Sequence, residues 1–309
     1  MKVTGTLAAI GNTPLVELQR VRPSRGARVV VKLESANPTG SMKDRIALAM
    51  VGAAAADGRL APGGRVVEYT GGSTGMALAF VCAAAGYRCT LVSSDAFSEE
   101  KRAGMAALGA QVVLVPSDRK RITEALIKAM IEAARLLAAE PGSYWTDQLN
   151  NRDGEAGYHS LGEEIWAQTE GRVTAFVQSV GTAHSLLGAA DVLRSKRNDV
   201  RVVAVEPAES PVLTEGHSGG HLIEGMGLGF VVPLWRPDAV DQVMAVSSAD
   251  AMAMARRLAR EEGLFAGTST GANVVAALRV AEDLPESAVV ATLAVDSGLK
   301  YMSTGLYSS

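Results

Sequence analysis

Cysteine is scarce in this chain: Cys82 and Cys89 are the only two among 309 residues. Two thiols exclude a disulfide framework and a zinc site built from several cysteines. No signal-peptide layout opens the sequence at Met1-Lys2-Val3-Thr4-Gly5-Thr6. A membrane-spanning helix needs ~20 apolar residues in a row, and the richest run, from Met76 to Ala85, is too short. Neither sign of charge dominates. Lys and Arg number 30 and Asp and Glu 33, for a net charge of -3, so the chain lacks the basic excess of a nucleic-acid binder. The P-loop, the His-Glu-x-x-His and Cys-x-x-Cys metal patterns and the Gly-x-Ser-x-Gly elbow are all missing. Gly225-Met226-Gly227-Leu228-Gly229 has the wrong period for a dinucleotide fingerprint. These absences predict a cytoplasmic protein with no metal, nucleic acid or membrane partner.

The composition, 48% hydrophobic and 20% charged, is that of a folded globular chain. At ~150 residues per domain the length suggests about two domains. Apolar, β-branched runs read as strands at 28–33, 66–69, 89–92, 111–115, 175–177, 202–205, 243–246 and 289–293. Helical spacing lies between them. One helix is expected from about 76 to 85 and another over 99–108. A longer one carries Ile122, Leu126, Met130, Ala133 and Leu137 on one face. Two more follow: one runs from the Gly181 turn through Leu193, and one reaches Glu262 behind a Ser247/Asp250 capping box. Strands alternating with helices of this length imply an α/β fold with mainly parallel sheets. In such sheets ligands bind beyond the carboxyl ends of the strands.

Four glycine-rich turns follow strands: Pro38-Thr39-Gly40-Ser41-Met42-Lys43, Thr70-Gly71-Gly72-Ser73-Thr74-Gly75, Gly181-Thr182-Ala183-His184-Ser185 and Gly267-Thr268-Ser269-Thr270-Gly271. Glycine lets the backbone approach a ligand closely, and a helix that starts at such a turn aims unpaired N–H groups at an anion. Four such turns favour a phosphorylated or carboxylated ligand. Lys43 stands out because a cation is disfavoured at a helix start, which favours the neutral amine needed for a Schiff base. A solvated first-turn lysine beside Asp44 is the other reading, and this loop alone does not decide between them.

Further segments are Ile10-Gly11-Asn12-Thr13-Pro14-Leu15-Val16, Lys32-Leu33-Glu34, Asn37-Pro38-Thr39-Gly40-Ser41-Met42-Lys43-Asp44-Arg45, Val205-Glu206-Pro207, Asp296-Ser297-Gly298 and Tyr301-Met302-Ser303-Thr304. In this order, along nearly the whole chain, they resemble the cysteine synthase and cystathionine β-synthase family of pyridoxal-phosphate (PLP) enzymes, fold type II. The resemblance implies two three-layer α/β/α domains around mainly parallel twisted sheets, like the tryptophan synthase β chain. Residues 1–38 and 148–309 would form a larger PLP-binding domain, and 39–147 a smaller, mobile substrate-binding domain. Lys43 looks like the lysine that bonds to PLP and then acts as the base at Cα. Thr70, Gly71, Gly72 and Thr74 look like the substrate-carboxylate loop, with Gln148 and Gly225 as further substrate contacts. Ser73 would face the cofactor. Gly181, Thr182, Ala183, His184 and Ser185 would cup its phosphate, and Ser297 would face the pyridine nitrogen, unless it is only a helix cap. The implied activity is β-replacement on an activated serine such as O-acetylserine, by sulfide or a thiol, through an aminoacrylate. The implied partners are an amino-acid substrate, a sulfur nucleophile and a second copy of the chain in a homodimer.

Two loops depart from the family pattern. Ser73 stands where the family has Asn and Gly71 where it has Ser, while Ala183, His184 and Ser185 replace the Gly-Gly-Thr that usually ends the phosphate cup. His184 is either a phosphate contact or a helix-start residue turned to solvent or packed beneath the cup. Glu224 resembles the cystathionine β-synthase version of its loop. These changes keep two alternatives open: β-elimination, as a dehydratase or cysteine desulfhydrase, and a non-catalytic PLP-binding regulatory role in which the loop docks the C-terminal peptide of a serine acetyltransferase-like partner. Cys82 and Cys89 are expected in the core.

Overall fold

The computed structural model describes residues 1, 3–22, 25–119 and 123–307. Its strands are β1 (Leu15–Glu17), β2 (Arg28–Leu33), β3 (Arg65–Tyr69), β4 (Arg88–Ser94), β5 (Gln111–Val115), β6 (Ser143–Trp145), β7 (Val173–Ser179), β8 (Arg201–Pro207), β9 (Gln242–Val246) and β10 (Val289–Ala294). The helices are α1 (Lys43–Asp57), α2 (Ser73–Ala85), α3 (Glu99–Ala107), α4 (Glu124–Ala138), α5 (Asp153–Ala156), α6 (His159–Gln168), α7 (His184–Lys196), α8 (Ser248–Arg257) and α9 (Thr268–Glu282). The chain divides into two units, Met1–Ile10 with Asn37–Gly157, and Gly11–Ala36 with Tyr158–Ser309.

The first unit holds a four-stranded sheet in the order β5-β4-β3-β6, parallel throughout. Val66 and Val67 point to opposite faces of β3 and both are fully buried, as expected of a parallel strand covered on both sides. The helix α4 shows how sequence makes the covering layer. Thr123 caps it by accepting from the Leu126 N–H, Leu126, Ile127, Met130 and Ala134 face inward, and Glu124, Lys128, Glu132 and Arg135 stay exposed. Ile122, expected on the inner face, lies outside the described residues.

The second unit holds six strands in the order β1-β2-β10-β7-β8-β9. The short edge strand β1 is antiparallel to β2, and the other pairs are parallel. Ala175, Val177, Val203 and Val205 join α8 and α9 residues such as Ala251, Met254 and Val274 in one core. The alternate residues Phe176, Val202 and Ala204 are equally buried, so this sheet too is covered on both faces. The expected strands and helices are present, several of them with shifted ends. The helix expected from about 76 begins at Ser73, because the Thr70 side chain accepts from the Gly75 N–H and so satisfies a first-turn donor. Ser247 caps α8 as expected, accepting from the Asp250 N–H. Beyond Arg257 the helix widens into a π turn over Leu258–Glu262, ended by Gly263 at φ 67°.

The topology places the loops. β3 and β6 are parallel neighbours, so the 70–75 loop and residues 146–148 leave the same edge of one sheet. β7 and β10 are parallel neighbours, so the Gly181 turn and Ser297 leave the same edge of the other.

Helix α9 packs so closely on α8 that a methyl group on Gly271 would run into the Ala251 carbonyl. Gly271→Ala is therefore expected to destabilise the protein by ~1–3 kcal/mol, the range for overpacking a filled core, read from the urea unfolding midpoint.

Candidate active site

Lys43 is the first residue of α1 and is half-buried, so its surroundings are more enclosed than those of a lysine in open solvent. The turn before it is tied by backbone and short side chains. The fully buried Asp44 accepts from the Thr39 N–H at 2.8 Å and from its hydroxyl at 2.5 Å. The Gly40 N–H donates to the Asn37 carbonyl at 2.7 Å, and the Lys43 N–H to Ser41 Oγ at 3.2 Å. These bonds fix the Lys43 backbone at the head of the helix.

The 70–75 loop lies in the same unit. Thr70 Oγ1 accepts from the Gly72 N–H at 2.9 Å and the Gly75 N–H at 3.0 Å. Ser93 Oγ donates to the Thr70 carbonyl at 3.0 Å. Thr70 therefore braces the loop. Gly72 has φ 138°, and a side chain there would strike the stem of Lys101, while one on Gly71 would reach to 2.9 Å from the Phe97 ring. Ser73 and Thr74 open α2, and the first-turn N–H groups of a helix have no carbonyl in the helix to pair with. Thr74 Oγ1 donates to Gln148 Oε1 at 2.9 Å, and Gln148 Nε2 donates to the Tyr69 carbonyl at 2.9 Å. Both bonds orient the Gln148 amide and leave it one N–H. The loop and Gln148 are thus brought together, as the resemblance implies.

Sequence reading missed Glu68, which is fully buried next to this loop. It accepts from the Tyr69 N–H (2.9 Å), the Thr146 hydroxyl (2.6 Å) and the Gln148 N–H (2.9 Å). Burial pushes its carboxyl up to about 7, against the downward pull of these donors. The sequence carried a signal: Glu68 is a charged residue inside the apolar run of a buried strand. Cys82 and Cys89 are buried free thiols. Hydrogen bonding to Cys89, then burial, pushes the Cys82 thiol up and away from nucleophilic use.

In the second unit, α7 starts at His184, directly after the Gly181 turn. Ala183 adopts φ 72°, the left-handed conformation that costs an alanine ~1–2 kcal/mol. The backbone thus keeps a glycine-type bend although the side chain has changed. Gly181 is equally constrained, since a Cβ there would lie 2.5 Å from the Gly225 carbonyl oxygen, and the Gly227 N–H donates to the Val180 carbonyl at 3.1 Å. Gly225 therefore backs the cup directly. His184 is buried, with Nδ1 2.8 Å from Thr182 Oγ1. It packs inside the cup and does not turn to solvent. Ser185 Oγ accepts from Gln178 Nε2 at 3.0 Å and keeps its own hydrogen to donate. Gln178 Oε1 in turn accepts from Asn273 at 2.7 Å, and Asn273 also donates to the Leu293 carbonyl and accepts from the Ser179 N–H. This buried amide network joins β7, β10, α9 and the cup. Sequence reading missed both of its residues.

Ser297 caps the 3₁₀ turn over Gly298–Thr304 and accepts from the Leu299 N–H at 3.3 Å. An oxygen that accepts there still has its hydrogen to give, so the cap and a bond to a ring nitrogen are compatible. Below it, Tyr301 donates to Asp296 at 2.9 Å.

These residues suit a phosphorylated pyridine aldehyde. The cup offers first-turn N–H groups of a 13-residue helix and small hydroxyls to a dianion. Close approach of the Gly225 carbonyl at Gly181 keeps this turn clear of a side chain. A neutral hydroxyl at Ser297 suits an unprotonated ring nitrogen.

The comparisons agree. The family model described as pyridoxal-phosphate dependent enzyme matches residues 6–296. A cysteine synthase of Staphylococcus aureus is 40% identical over 301 residues, covering 97% of this chain and 95% of that one. The crystal structure of a cysteine synthase from Entamoeba histolytica superposes with a TM-score of 0.92 at 36% identity, over 99% of this chain and 90% of that one. An O-acetylserine dependent cystathionine β-synthase from Helicobacter pylori gives a TM-score of 0.91 at 33% identity, over 99% of both chains.

The strained Ala183 makes a test. Ala183→Gly removes the left-handed penalty and adds back some unfolded-chain entropy, for a net gain of ~0.5–1 kcal/mol in chemical denaturation.

Proposed function

We propose, for a chain that belongs to the cysteine synthase and cystathionine β-synthase family of pyridoxal-phosphate dependent enzymes, a β-replacement: O-acetyl-L-serine and hydrogen sulfide give L-cysteine and acetate. What carries this reading is Lys43 at the head of α1, on a turn locked by Asp44, in one unit with a braced loop at the start of α2. The names of the relatives support the donor and the sulfur nucleophile.

When bound, pyridoxal phosphate supplies an electron-withdrawing ring that acidifies the substrate Cα–H. The protein's own groups do the rest. Lys43 Nζ would hold the cofactor through its aldehyde and would serve as the base for the substrate Cα proton. Thr74, the first-turn N–H groups of α2 and the remaining Gln148 N–H bind the substrate carboxylate. The start of α7, with Thr182 and Ser185, would hold the phosphate. Ser297 would offer the ring nitrogen a neutral hydroxyl, the kind of partner that leaves the ring less electron-poor and favours loss of a β-substituent over deep carbanion storage. Ser73 offers one hydroxyl, of shorter reach than an amide. The likeness to the family also supports a cytoplasmic homodimer, with an acetyltransferase-like C-terminal peptide competing for the carboxylate loop. Among the described residues no helix is long and apolar enough to cross a membrane.

Purified protein with PLP, O-acetyl-L-serine and sulfide should release cysteine and acetate in equal amounts. Lys43→Ala should lower turnover by at least ~10³-fold, as expected on removing both nucleophile and base, and abolish the cofactor's visible absorbance. Pyruvate and ammonia in place of cysteine, with sulfide in excess, would identify a β-eliminating enzyme.

A further inference from the structure

Beside the carboxylate loop lies a carboxyl group that the proposed reaction does not use. Glu68 ends in a fully buried position on β3, two residues before Thr70, so at most ~7 Å of chain separates it from the loop. The three groups that donate to it all belong to the loop's support. Oε2 accepts from the Gln148 N–H and the Thr146 hydroxyl, and Oε1 from the Tyr69 N–H. Gln148 in turn receives Thr74 and donates to the Tyr69 carbonyl. One carboxyl thus anchors the backbone of the residue whose side chain meets the loop.

We propose that Glu68 is a proton-coupled positioning residue of the carboxylate loop: it holds Gln148 in place and takes up a proton when an anionic carboxylate occupies residues 70–75. The inference rests on the reading of those residues as the carboxylate site. Two opposed effects poise the group. Three donors favour the carboxylate, and complete removal from water favours the acid; the balance sets Glu68 at about 7. A second negative charge arriving next to it tips the balance toward the acid.

The surroundings leave Glu68 as the group that responds. The carboxylate of Asp147, just past β6, adds to the upward push. Tyr69, next along β3, is a phenol that Glu68 itself helps keep protonated. Of the helices packed on β3, α2 carries no charged side chain, and the charged residues of α4 (Glu124, Lys128, Glu132 and Arg135) are all exposed. The neighbouring strand β4 has its one charge at Arg88, exposed at the far end, and β6 has none.

The test is calorimetric titration of the holoenzyme with propionate, a carboxylate with no amine to react, in buffers of different ionisation enthalpy around pH 7.5. The wild type is expected to take up about half a proton per propionate bound, the linkage signature of a group near 7 raised by ~1 unit. Glu68→Gln should bind propionate with that uptake abolished. Thr146→Val, which removes one donor to the carboxylate, keeps the proposal testable if the glutamine variant does not fold, and should move the pH of maximal uptake upward. Binding with no uptake in the wild type, the same uptake in Glu68→Gln, or an unmoved maximum in Thr146→Val would overturn the proposal. Failure of propionate to bind at all would instead overturn the carboxylate-loop reading beneath it.

Discussion

A helix that begins where a buried parallel strand ends must leave several backbone N–H groups without a carbonyl. In this protein that constraint falls at one candidate loop in each unit: α2 starts four residues after β3 ends, and α7 starts five residues after β7 ends. Both starts lie at loops too tight for ordinary side chains. Backbone donors at such a start suit an anion. In the first unit the Thr70 hydroxyl takes the Gly72 and Gly75 N–H groups, and the start of α2 suits a carboxylate; in the second, the start of α7 suits a phosphate.

What surrounds these donors is a second layer of buried polar side chains whose bonds point away from solvent. Glu68 and Thr146 hold Gln148 in one unit; Gln178 and Asn273 hold Ser185 and the end of β7 in the other. Buried polar groups are costly unless satisfied, and here they are satisfied by one another and by neighbouring backbone N–H groups. The loops gain rigidity that glycine-rich sequence alone would deny them. The same arrangement explains how the cup accepts Ala183: the network over-determines the bend, and the residue sits in a conformation alanine avoids.

The fold was largely legible from hydrophobic pattern. Strands such as 28–33 and 111–115 were read with the ends the structure gives them, because apolar runs bounded by Gly, Arg and Pro leave little choice of limits. The start of α2 was read three residues late, since Ser73, Thr74 and Gly75 look like loop until Thr70 is seen to cap them. β1, β6 and α5 are three or four residues long, too short for any period to show. α9 was missed because its Ala-rich, all-round buried sequence has little polar face to set a phase. Lys43, the two loops and Ser297 were singled out through family likeness. Glu68, Gln178 and Asn273 were not, because their importance lies in contacts between segments distant in sequence.

All of this chemistry depends on one covalent attachment point. The most direct measurement is to reduce the holoenzyme with borohydride, digest it and locate the pyridoxyl group by peptide mass spectrometry. The account predicts a single modified residue, Lys43. A pyridoxyl group on another lysine, or none at all in protein saturated with cofactor, would contradict it.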